Sequence, residues 1–84
     1  MKAPTVHLNG TSKDELLRQV SAVMNALDPA MTALADATPN GRDYYTQGSD
    51  ALREALNEHH LRFSRLKSVY EELLGLYEAI DAQG

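Results

Sequence analysis

His59 and His60 follow Glu58 directly, and imidazole beside carboxylate is the donor chemistry of a transition-metal site. The spacing argues against a shared ion. Consecutive residues on a helix point about 100° apart, and neither an HExxH nor an ExxH pattern is present. His59 is therefore expected as a seam residue beside Phe63 and His60 as a surface residue, with no metal bound. Titration near neutrality would then make any association through His59 sensitive to pH.

Arg42, Asp43, Tyr44 and Tyr45 place four interaction-capable side chains in one polar stretch. Arginine and tyrosine combine large contact area with hydrogen-bonding capacity, which is why both types are enriched in binding hot spots. Two uses stay open: the four contact a protein partner, or a tyrosine packs over the end of the fold while Arg42 pairs with Asp43. Arg53, Arg62, Arg65 and Lys67 are the other concentration of charge. Glu54 and Glu58 interrupt them, and Glu58 with Arg62 has favourable i,i+4 spacing, so a mixed solvated face is expected.

Catalysis needs a nucleophile beside a base, or carboxylates in environments that split their pKa values. Ser49, Ser64 and Ser68 stand in no nucleophile motif, and the carboxylates fall mainly on solvent-facing positions. No catalytic, cofactor-binding or metal-ligating residue is assigned, no small-molecule substrate is expected, and the chain reads as non-enzymatic.

The elements that must hold these side chains are helices. Residues 3–10 read as a short extended arm, because Pro4 disfavours helix before it and Asn9-Gly10 is a turn signal. Ser12 with Glu15 has capping-box spacing and starts a helix over about 12–37. Its stripe is Leu16, Val20, Val23, Leu27, Ala30 and Leu34, with Leu17, Met24 and Met31 along one edge. Pro29 lies inside. Because the apolar spacing keeps its phase through it, one helix kinked at Pro29 is favoured over two.

Residues 38–49 form the connection, and Ser49 or Asp50 caps a second helix over about 50–82. Leu52, Leu56, His59, Phe63, Leu66, Tyr70, Leu73, Tyr77 and Ile80 then alternate steps of four and three, broadened by Ala55, Val69 and Leu76. At ~1.5 Å per residue the second helix would be ~50 Å long and the first ~39 Å, leaving an overhang that Val6 and Leu8 of the arm are expected to cover over Leu76 and Ile80.

The 84 residues allow one all-α domain, an antiparallel two-helix hairpin, with no cysteine to cross-link it. Two helices face to face leave Leu17, Met24, Met31, Val69 and Leu76 open to water. At roughly 1.5–3 kcal/mol for each buried side chain, that forfeits a sum comparable with a domain's whole stability. A homodimeric four-helix bundle, or docking on a larger assembly, is therefore expected. The net charge of −4 disfavours dense phosphate contacts. A small dimeric nucleic-acid-binding regulator using Arg53, Arg62, Arg65 and Lys67 is the alternative to a protein-interaction module. Met1-Lys2-Ala3-Pro4 leads into polar residues with no apolar leader, and no stretch spans a bilayer, so a cytoplasmic location is expected.

The opening Ala3-Pro4-Thr5-Val6-His7-Leu8-Asn9-Gly10-Thr11-Ser12 and the stretch Pro39-Asn40-Gly41-Arg42-Asp43-Tyr44-Tyr45-Thr46-Gln47-Gly48 resemble two segments of small uncharacterised helical proteins encoded in tailed-phage and prophage genomes. The similarity spans nearly the whole chain, in the order arm, helix, Arg-Asp-Tyr-Tyr loop, helix. That group has no established activity, so it assigns no functional residue. The resemblance implies a context only: a bacterial host cytoplasm, a role in phage assembly or host interaction, and a possible place on the virion.

Overall fold

The computed structural model describes all 84 residues and contains helices and no strands. Helix α1 is Lys13–Asp36 and helix α2 is Ala51–Asp81. Two one-turn 3₁₀ helices, Gly41–Asp43 and Tyr45–Gln47, lie between them. The two long helices pack on each other as a hairpin with extents of 62 × 21 × 16 Å.

Ser12 caps α1, its hydroxyl accepting the Glu15 backbone N–H at 3.1 Å. The capping box is only half formed, because Glu15 turns away from the cap to Arg18, at 2.6 and 2.8 Å, and to Gln19 at 3.2 Å. A two-point guanidinium contact is stronger than a single bond to an exposed backbone amide. Those bonds, Arg18 first and Gln19 second, pull the Glu15 carboxyl from 4.5 down to about 2. A carboxyl with a depressed folded-state pKa contributes stability that is present above its ordinary value and lost as the pH falls toward the folded value. Arg18→Gln should return the Glu15 titration, followed by carboxyl NMR, most of the way to the ordinary range. An unmoved midpoint would show that the pairing is not what lowers it.

α1 runs unbroken through Pro29, as the phase of its apolar spacing requires. Pro29 and Asn25 are both exposed, so the carbonyl that loses its ladder bond faces water. At the start of α2, Asp50 occupies the capping position without a capping bond, and its carboxylate takes Arg53 at 2.8 Å instead. Gly48 holds φ 111° and ψ 169°, a conformation essentially confined to glycine, and so sets the entry into α2.

All nine seam residues expected of α2, Leu52 through Ile80, are half-buried or buried. On α1 the seam is rotated from expectation. Leu16, Leu17, Val20, Met24, Leu27, Met31 and Leu34 are half-buried, whereas Val23 is 47% exposed and Ala30 is exposed; of the five side chains expected open to water, Leu17, Met24, Met31 and Leu76 are thus half-buried and only Val69 is exposed. The two ridges share Val20, Leu27 and Leu34, and the observed one adds Met24 and Met31 where the other offers Val23 and Ala30. The larger side chains reach further across to α2 and remove more apolar area from water. In heptad letters, Leu17, Met24 and Met31 occupy a, Val20, Leu27 and Leu34 occupy d, and in α2 Phe63, Tyr70 and Tyr77 take a while His59, Leu66, Leu73 and Ile80 take d.

The arm is held differently from expectation. Leu8 is 98% exposed and covers nothing. Met1 instead lies against Gly75, and together with Val69, Leu73 and Leu76 it lines a shallow cleft on α2. The fastening is Gln83, whose carboxamide accepts from the Val6 N–H at 2.8 Å and donates to the Pro4 carbonyl at 2.8 Å. Lys13 Nζ donates to the Gln83 backbone carbonyl at 2.6 Å. A Cβ at Gly75 would sit 3.5 Å from Met1 Cε, an ordinary contact. Gly75→Ala is therefore expected to raise stability by about 0.5–1 kcal/mol in denaturant unfolding, the usual helical gain over glycine. A loss of stability would show that the Met1 contact is tighter than its geometry implies.

Candidate interaction surfaces

The stretch Arg42–Tyr45 lies at the hairpin tip and is built by local turns. The Asn40 carboxamide oxygen accepts the Arg42 N–H at 3.0 Å, while the Asn40 and Gly41 carbonyls accept from Asp43 and Tyr44. This is Asx-type turn chemistry closing a 3₁₀ turn. The two tyrosines separate. Tyr44 is half-buried over the first turns of α2, in a cleft of about 230 Å³ with Pro39, Gln47, Ala51 and Ala55. Tyr45 projects, 78% exposed. The Arg42 guanidinium is 4.0 Å from the Asp43 carboxylate, with both side chains largely in water, so the contact restrains neither strongly. The tip thus offers Arg42, Asp43 and Tyr45 outward, with Tyr44 as their anchor.

His59 is 6% exposed, in the seam as expected, and His60 is exposed. Their rings meet edge to face with centroids 6.4 Å apart. Thr38 Oγ1 donates to the Ala35 carbonyl at 2.5 Å and lies 3.3 Å from His59 Nε2. With its proton committed to the carbonyl, the hydroxyl is left as acceptor, so Nε2 carries the hydrogen in that contact. No three His, Asp or Glu side chains gather into a metal-holding group.

The four cations of α2 do not form a stripe. At about 100° per residue they fall into two pairs on roughly opposite sides of the helix, Arg53 with Lys67 and Arg62 with Arg65. Arg53 pairs with Asp50, and Lys67 shares a groove with Asp28, Asp36 and Glu71. Arg62 lines the Tyr44 cleft with Glu54 and Glu58, although the expected Glu58–Arg62 ion pair is not made. No helix is long and apolar enough to cross a membrane.

Two flanks border the seam. Heptad e positions of both helices, Asp28 and Ala35 with Lys67 and Leu74, line one open groove of about 640 Å³, floored by Met31, Phe63 and Tyr70. The g positions occupy the opposite flank: Leu16, Val23 and Ala30 on α1, Ala55, Arg62, Val69 and Leu76 on α2. The tip covers Ala55, and Met1 borders Val69 and Leu76.

Periodicity located the helices and composition located the tip, but neither could find Gln83 or Met1. A glutamine beyond the last apolar position carries no signal until the arm is seen beside it. The chain matches no protein-family model, no curated protein and no solved structure.

Proposed function

We propose that this chain is a non-enzymatic protein-interaction module that pairs with itself as a four-helix bundle, with α1 bent at Pro29 to follow its neighbours. In this reading it presents the Arg42–Tyr45 tip to a protein partner. One observation carries it: the hairpin has far more surface than a self-sufficient fold of its mass. A folded monomer of 9.3 kDa exposes about 5,000 Å², whereas this one exposes 6122 Å². The excess, about 1,100 Å², exceeds the ~800 Å² that each partner contributes to a standard interface. The radius of gyration, 18.7 Å, also stands well above the ~12 Å of a compact chain this long. Only Ile80 and His59 are buried.

The tip supplies the recognition chemistry: an exposed aromatic on an anchored turn beside a solvent-exposed guanidinium held only loosely by Asp43. The division of the α2 cations between two opposite sides, among acidic neighbours, favours this over the nucleic-acid-binding alternative, which calls for more positive charge on one face. The resemblance of the arm and tip to phage-encoded helical proteins sets the context we propose, assembly or host interaction inside a bacterial cell.

The test is solution mass by light scattering across micromolar concentrations, with helicity on the same samples. A dimer that dissociates on dilution supports the module, and a fully helical monomer at every concentration overturns it. For the tip, Arg42→Ala with Tyr45→Ala should abolish retention of a bacterial protein held by the wild type and leave the melting temperature unchanged. Equal retention by both would remove the tip from the reading.

A further inference from the structure

We infer that the second copy sits on the g flank, against Leu16, Val23, Ala30, Val69 and Leu76, and leaves the larger e-flank groove open. This rests on the self-pairing proposed above and names its face. The argument is the charge that each flank would have to desolvate. Among the g positions of the two helices only Arg62 is charged, whereas the e positions hold Asp14, Asp28, Arg53, Lys67 and Asp81 together with His60. Stripping water from unpaired charges costs more than the attraction returns, so the face that buries fewest of them is the one that pairs.

Exposure points the same way. Val23 at 47% and Val69 at 42%, with Met1 at 80% extending the patch, are left uncovered on the g flank, against Leu74 at 41% on the e flank. The a, d and g positions together give each helix the wide apolar face of a four-helix bundle in place of the narrow seam of an isolated pair. Charged side chains rim both flanks, Asp36 and Glu71 at the e groove and Lys2, Glu72, Glu54 and Glu58 at the g-flank clefts, so the contrast in charge lies at the e and g positions themselves.

The experiment compares full-length wild type, Val23→Glu with Val69→Glu, and Leu74→Glu by light scattering over a dilution series. The g-flank pair should raise the dimer dissociation constant at least ~100-fold, as burying uncompensated charge does, and Leu74→Glu less than ~10-fold. The reverse order would place the copy in the e groove and overturn the inference, with the self-pairing intact. A wild-type monomer would overturn the self-pairing itself. Because loss of pairing can unfold the chain, a second measurement uses the absence of native cysteine. Val23→Cys and Val69→Cys should give covalent dimers with a short bismaleimide, and Thr32→Cys and Leu74→Cys should not. Cross-linking confined to the last two would overturn the inference.

Discussion

Ile80→Ala is expected to destabilise the protein by about 2–5 kcal/mol, the range for removing a fully buried aliphatic side chain and leaving a cavity. Ile80 is 1% exposed and is the only apolar side chain in the chain that is fully buried. It lies one turn before Gln83, where the arm and the start of α1 are both fastened to the end of α2. A domain of this length has roughly 4–13 kcal/mol in total, so one truncation removes a large share of it. Leu61→Ala is the control. Leu61 is just as apolar but 57% exposed on the outer side of α2, and its truncation should stay within about 0.5 kcal/mol. Denaturant unfolding at a fixed protein concentration gives both values. Equal losses at the two positions would mean that burial within one copy does not describe where the stability resides.

The contrast between Ile80 and Leu61 also shows what the sequence can carry. The four-and-three spacing of α2 picked its inward face without error and left Leu61 outside, because on a long regular helix phase alone decides burial. On α1 the same signal was ambiguous. Val20, Leu27 and Leu34 belong to two apolar ridges, and only the reach of Met24 and Met31 toward α2 separates them, a property of packing and not of periodicity. The start of α1 was legible from Ser12, yet the fate of Glu15 was not. A capping glutamate and a glutamate with arginine three residues on are both good local solutions, and geometry chose the second.

At the tip, residue types marked Arg42–Tyr45 as interaction-capable without saying which tyrosine would anchor. That follows from the turn at Asn40, which sets Tyr44 over Ala51 and Ala55 and leaves Tyr45 outside. The arm was the least legible part. Val6 and Leu8 are its apolar residues in the right region, but Leu8 falls in the turn closed by the Gly10 N–H and His7 carbonyl and points away from α2. Backbone hydrogen bonding, which no pattern of side-chain types records, decided that Met1 and not Leu8 reaches the helix.

That fastening can be tested at one residue. Gln83→Ala removes the acceptor of the Val6 N–H and the donor to the Pro4 carbonyl. Each such bond contributes about 0.5–1.5 kcal/mol net, so a loss of about 1–3 kcal/mol is expected, concentrated in the arm. The Val6 amide has no other partner, and its hydrogen exchange should rise toward the rate of an open chain while amides in the middle of α2 stay close to their wild-type rates. Gln83→Glu separates the two bonds: the carboxylate still accepts from Val6 but has nothing to give Pro4, so Val6 protection should survive in part. Lys13→Ala is the complementary control, because it takes away only the ammonium on the Gln83 carbonyl and leaves the carboxamide in place. If Val6 exchange is unchanged in Gln83→Ala, the arm is held by Met1 on Gly75 and not by the carboxamide.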